Sequence, residues 1–309
     1  MAAYTARRVL ALVPVLILVS VMVFSMLYLL PGDPLVALVG EEGAQLSAED
    51  AAVLRKSLGL DQPMVVQYMR FAGGILRGDL GQSIRSGKPV VRVISEQVTS
   101  TLELSSASLV ISLSLGIVLG VNAACRRATW GDTSVMLVSL FGLSLPSFWL
   151  GLMMIIVFSY GLGWLPSMGG GTLKQLVMPA MVLGLGGMGT LARLTRSAML
   201  DTLNQDYVRT ARSKGLVERM VVYKHALRNA LLPVVTVIGI TLGHILGGSV
   251  VVETVFSRPG IGRIVVAAIN DRDFPIVQGV VLMSAAMYVL TNLVVDLFYA
   301  VIDPRIRFD

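Results

Sequence analysis

The stretch VLALVPVLILVSVMVFSMLYLL (residues 9–30) carries no charge. At about 1.5 Å per residue, its roughly 22 residues are enough to cross a hydrocarbon core of about 30 Å. Arg7 and Arg8 precede it, and Leu30-Pro31-Gly32-Asp33-Pro34 ends it. A signal peptide starts similarly, but its apolar stretch is only about 7–15 residues and ends in a small-x-small cleavage site. The run therefore reads as a retained membrane helix whose exit is a Pro/Gly turn.

Composition extends that reading to the whole chain. Of 309 residues, 55% belong to the AVILMFWYC set and 14% are charged, against roughly 25% charged in soluble domains. Mean hydropathy is +0.77. Disorder is excluded, since it needs low hydrophobicity and high charge. A single soluble globule is disfavoured, because too few polar residues remain to cover its surface. Five further apolar runs follow, at 104–124, about 134–160, about 176–192, 230–252 and 274–302. The expectation is an all-α, polytopic protein with six membrane spans. A polar extracytoplasmic insert, 31–98, separates the first span (1–30) from a five-helix core (99–309). In the insert, Ser47 with Asp50 three residues on resembles a helix N-cap. The uncharged stretch after the third span, with Trp164 and Pro166, reads as an interfacial loop.

Six spans put both termini on one side. The basic residues decide which side that is. Arg7 and Arg8 flank the first span, and no basic residue follows it until Arg55. Lys and Arg near span ends mark the cytoplasmic side. Arg126, Arg127, the cluster from Arg193 to Arg228, Arg305 and Arg307 then all fall inside. The net charge of +6 is thus mostly a loop-orientation signal, and nucleic acid is not needed to explain it. The single cysteine, Cys125, permits no intrachain disulfide, and His225 and His244 have no ligand-like spacing. No metal centre is expected.

The most informative segment joins the fourth and fifth spans at 200–230. Helix hairpins usually need about 2–8 connecting residues, and this one has about 30. Val208, Ala211 and Gly215 fall at i, i+3 and i+7, a narrow small-residue face. Asn204 or Asp206 is placed to cap the start, and Gly215 suits the left-handed residue that ends a helix. A second amphipathic helix is expected from Leu216 towards Asn229, with Pro233 at the start of the fifth span. A small-residue face suits docking into a partner groove. A surface helix resting on anionic headgroups shares the same amphipathic signature.

Here the chain resembles a family. Arg209-Thr210-Ala211-Arg212-Ser213-Lys214-Gly215 and His225-Ala226-Leu227-Arg228-Asn229-Ala230-Leu231-Leu232-Pro233 are similar to the cytoplasmic EAA loop of bacterial ABC-importer permeases. The branch is the one that handles dipeptides, oligopeptides, nickel and related solutes. The general Glu-Ala-Ala is here Arg209-Thr210-Ala211. Leu30-Pro31-Gly32-Asp33-Pro34, Leu58-Gly59-Leu60-Asp61-Gln62-Pro63, Gly78-Asp79-Leu80-Gly81, Pro259-Gly260-Ile261-Gly262-Arg263 and Asp303-Pro304-Arg305 resemble the same branch, in order, over nearly the full length. The resemblance implies a type I ABC importer permease fold in a bacterial inner membrane. It also implies a homologous second permease subunit, two ATPase subunits and an extracytoplasmic solute-binding protein as partners. The 200–230 loop would couple to an ATPase through Asp206, Tyr207, Val208, Arg209, Thr210, Ala211, Arg212, Lys214 and Gly215. The chain has no G-x-x-x-x-G-K-[ST] phosphate loop, so ATP and Mg are expected in the ATPase subunits, with no cofactor here.

Other signals have bland readings beside the sharp ones. Gly184-Leu185-Gly186-Gly187-Met188-Gly189 fits G-x-G-x-x-G, but within a span it reads as close helix packing rather than a dinucleotide loop. His244, an ionisable residue inside the fifth span, is a pathway candidate or a structural hydrogen-bonding group. Asp296, near the inner end of the sixth span, reads as a pairing residue. Glu253, Arg258, Arg263, Asp271, Arg272 and Asp273 crowd the connection between the last two spans, either as structural pairs or as a rim for the binding protein. A self-contained secondary transporter would show internal repeats and several midplane charges. A membrane enzyme would need a catalytic pair or a metal triad. Neither pattern is present.

Overall fold

The computed structural model describes residues 2–29, 35 and 46–302. The Pro31–Pro34 turn and the Asp303-Pro304-Arg305 motif lie outside these, as does the side chain of Asp296. Among the described residues, regular secondary structure is helical, apart from an isolated bridge between Gln82 and Pro89. The helices are α1 (Ala2–Leu29), α2 (Ala48–Leu58), α3 (Met64–Arg77), α4 (Val90–Cys125), α5 (Trp130–Ser144) and α6 (Ser147–Met154), then α7 (Leu173–Leu203), α8 (Asp206–Ser213), α9 (Leu227–Val255), α10 (Ile261–Asn270) and α11 (Phe274–Ile302). Among the described residues, five helical segments are long and apolar enough to cross a membrane: Arg7–Leu29, Val90–Cys125, Leu173–Leu203, Glu218–Val255 and Phe274–Val295.

The third expected span departs from the expectation. The 134–160 run is not one helix. It is α5 followed by α6 and a π-helical stretch, Ile155–Gly161, bent by 104° at the break. Pro146 explains where the break falls. Proline pushes the preceding residue to extended backbone, and Leu145 sits at φ −82°, ψ 128°. Apolar composition fixes total length but not straightness.

The chain divides into two compact units. One contains Ser100–Arg258 and the chain from Thr291, and the other contains Ala2–Thr99 with Pro259–Leu290. In the second, Val90, Ile94, Ile261, Ala268, Ile276, Val277 and Val280 form a buried apolar cluster. Buried Asp273 fastens the 83–85 turn to the start of α11. Its carboxylate accepts from the Ser83 hydroxyl at 2.6 Å and from the Ile84 amide at 3.3 Å. The expected Ser47 cap is present, with its hydroxyl accepting from the Asp50 amide at 3.1 Å.

In the larger unit, α7 is the central element, packed on α5 and α9. Its glycines let these helices approach. A Cβ on Gly187 would lie 2.9 Å from Thr241 of α9, and one on Gly189 would collide with the Ser139 carbonyl oxygen of α5. The G-x-G-x-x-G run is therefore a packing surface inside a helix rather than a loop between a strand and a helix. Asp132 at the start of α5 is buried, and Arg196 of α7 grips it through two hydrogen bonds of 2.5 and 2.7 Å.

Candidate functional site

The connection between α7 and α9 consists of α8, a short helical turn at Glu218–Met220 and a π-helical turn at Val221–Ala226. Neither Asn204 nor Asp206 caps α8, as the sequence had suggested. The N-cap is Gln205, without a side-chain bond, and Asn204 instead donates back to the Leu200 carbonyl at 3.0 Å. Asp206 sits in the first turn, where a carboxylate complements the helix dipole. The C-terminal stop is as expected. Gly215 adopts φ +77°, its amide donates to the Arg212 carbonyl at 2.9 Å, and the Leu216 amide donates to Ala211 at 3.4 Å. This pair of bonds is the Schellman closure, which needs a left-handed residue that glycine adopts without a Cβ penalty.

The face assignment reverses. Val208 and Ala211 were expected to form a small-residue docking face. Both are buried, at 0% and 7% exposure, against Val121, Ala124, Met199, Val221, Val222 and Ala226. Apolar residues on a short helix are the ones its own protein covers first. A fully buried valine contributes about 1.5–3 kcal/mol, which helps hold α8 in place. The face left outward is polar: Asp206, Tyr207, Arg209, Thr210 and Lys214 are exposed.

Two further ties hold the loop. Arg212 donates to both carboxylate oxygens of Glu218, at 3.1 and 2.6 Å, and this bonding raises the guanidinium pKa above its ordinary value. Asn229 donates to the Tyr207 hydroxyl at 2.7 Å. Sequence reading missed both contacts, because neither i,i+6 nor i,i+22 spacing follows a helical period. The second amphipathic helix is also not separate. From Glu218 the chain passes through a π-helical turn, Val221–Ala226, directly into α9. Pro233 therefore lies inside the helix rather than at its start.

His244 lies on a cavity of about 300 Å³ lined by Leu145, Ser147, Gly186, Gly187 and Thr241. The break in the third span and the glycine run of α7 thus meet His244 at one place.

The expected rim between the last two spans is partly interior. Glu253 is fully buried and accepts from the Thr101 hydroxyl at 2.6 Å. Arg258 is 1% exposed, with Nη2 donating to Glu103 at 3.0 Å and to the Ser100 carbonyl at 3.4 Å. In the other unit Asp273 is buried, while Arg263, Asp271 and Arg272 are exposed, and Arg85 pairs with Asp271. Arg258 and Asp273 therefore serve internal bonding and do not present a surface. Charged residues between spans are pulled inward wherever hydrogen-bonding partners can satisfy them.

Comparison with known proteins bears on this arrangement. Residues 116–308 match the family "Binding-protein-dependent transport system inner membrane component", and residues 1–105 match its N-terminal region. The chain is 43% identical over 305 residues to the glutathione transport system permease protein GsiC of Salmonella paratyphi A, covering 99% of each. It is 44% identical over 317 residues to a putative peptide transport system permease protein of Brucella abortus, covering 100% of each. Among solved structures, an inward-facing MetNI methionine ABC transporter chain matches with a TM-score of 0.57 at 20% identity. That match covers 68% of this chain and 96% of the other, and it establishes the type I permease fold. The long apolar helices, the glycine-packed core and the full-length family match together place this chain among the inner-membrane permease components of binding-protein-dependent ABC importers.

Proposed function

We propose that the chain is the transmembrane permease subunit of an ATP-driven importer for di- or oligopeptides or glutathione, and that the α7–α9 connection couples it to an ATPase. The observation that carries the coupling reading is the built form of α8. It presents Asp206, Tyr207, Arg209, Thr210 and Lys214 outward while Val208 and Ala211 pack on Met199, Val221 and Val222. A push on the outer face is therefore passed to the ends of α7 and α9 by close-packed side chains, which are nearly incompressible. Arg212 shapes the loop through its bonds to Glu218, and Gly215 both turns the chain and leaves its backbone open to close approach by the partner. The Leu145-Pro146 break beside the His244 cavity gives the pathway an element that bends as the access side alternates.

In this reading a homologous second permease subunit completes the path. Two ATPase subunits bind ATP and Mg, and an extracytoplasmic binding protein delivers the solute. The names of the glutathione and peptide permease relatives support that solute class. The bias of basic residues towards the 193–228 loop supports cytoplasmic termini. The test is uptake of labelled dipeptide and glutathione into proteoliposomes. ATP- and binding-protein-dependent uptake by the complete assembly is expected. Uptake by this chain alone on an ion gradient would overturn the proposal in favour of a secondary transporter.

A further inference from the structure

Helix α3 has two apolar faces, and only one is used within its unit. On the first, Tyr68 and Phe71 pack around Phe24 of α1 with ring centroids 5.7 Å apart in each pair. Tyr68 also hydrogen-bonds Ser20 at 2.9 Å, and Gln67 accepts from Tyr28. On the second, Val65, Met69 and Leu76 are 70%, 67% and 88% exposed. At about 100° per residue these three fall within about 40° of one another, a single stripe along the helix. Arg70 and Arg77 each follow a stripe residue by one position, so they lie about 100° round from it, and both are exposed.

Depth decides what covers the stripe. The spanning segment of α1 is Arg7–Leu29, and α3 contacts it at Ser20, Phe24 and Tyr28. Phe24 lies about 7.5 Å along the axis from the Leu29 end. α3 therefore lies beside the last turns of a spanning helix, at the depth of the acyl–headgroup boundary, and not above the membrane. On the side of α1 away from α3, Met22, Met26 and Leu29 are apolar and exposed over the same stretch of the span. The stripe on α3 therefore lies at a depth where α1 is itself apolar and exposed. The aromatic cluster at the contact matches the preference of Tyr for the membrane interface, and Arg70 and Arg77 are placed to reach lipid phosphates from the adjacent face.

We infer that α3 is an in-plane interfacial helix whose Val65–Met69–Leu76 stripe is seated in the acyl boundary of the leaflet at the C-terminal end of α1. In the orientation proposed above this is the outer leaflet, but the lipid contact itself does not depend on the solute or on the coupling loop. The test uses the complete transporter in liposomes of phosphatidylethanolamine and phosphatidylglycerol, in a Cys125→Ser background that removes the exposed free thiol. Nitroxide labels are placed singly at Met69→Cys, Leu76→Cys and Arg77→Cys. Accessibility to oxygen, which partitions into lipid, is compared with accessibility to a water-soluble nickel chelate. The labels at 69 and 76 are expected to favour oxygen severalfold over the chelate, and the label at 77 is expected to do the reverse. Free access of the chelate to 69 and 76 without binding protein, lost on adding it, would assign the stripe to that protein and overturn the inference. Protection of 69 and 76 from both reagents would assign it to another subunit and overturn it equally.

Discussion

Substitution of Gly215 separates the local geometry of the α8 turn from its contact with a partner. The residue sits at φ +77°, and a Cβ added there meets no atom of this chain within 4 Å. The cost of Gly215→Ala is therefore backbone strain alone. For an L-residue in the left-handed region that is about 1–2 kcal/mol, which reduces the population of the capped turn by about 5–30-fold relative to its alternatives. Gly215→Asn should cost less, because asparagine tolerates that region. If α8 docks on an ATPase only in its capped form, apparent coupling falls by the populated fraction. Gly215→Ala is then expected to assemble normally but to lose much of its solute-stimulated ATPase activity and uptake, with Gly215→Asn intermediate. Gly215→Asp adds a charge where close backbone approach is proposed, and it should transport poorly although aspartate also tolerates the dihedral. Solute-stimulated ATPase and uptake are measured on the reconstituted complex, with subunit stoichiometry as the control for assembly. Wild-type values for both Ala and Asp would refute the reasoning. Loss in Ala alone would keep the turn and remove the close approach.

Gly189→Ala forces a Cβ onto the Ser139 carbonyl and is expected to cost about 1–3 kcal/mol, seen as a lower Tm in detergent. Gly186→Ala, whose Cβ meets nothing within 4 Å, should leave Tm unchanged or raise it, and equal effects at the two sites would contradict the packing role. Arg196→Gln leaves Asp132 buried without its cation. Breaking such a pair costs about 3–5 kcal/mol, and the lower end is expected here because the Arg196 side chain is 27% exposed; an unchanged Tm would show the pair to be dispensable. His244→Gln should lower solute flux without altering assembly or basal ATPase activity, whereas normal flux would remove His244 from the path.

The membrane class, the number of apolar runs, the Ser47 cap and the Gly215 stop were all legible in the residues. Each is a local property. A span is a window of composition about 20 residues long, and a left-handed helix stop selects glycine whatever surrounds it. What the sequence could not determine was how those pieces meet. Periodicity shows that Val208 and Ala211 share a face, but not that Val221 and Val222 would cover it. Apolar run length at 134–160 shows enough residues to span, but not the 104° bend at Leu145-Pro146. The charged residues near Arg258 read as a rim until three dimensions brought Thr101 to Glu253, 152 positions apart, and Glu103 to Arg258, 155 apart. A buried charge is stable only when a hydrogen-bonding partner is present. The partner's identity is a tertiary fact, since nothing in the spacing of such distant residues records which of them become neighbours.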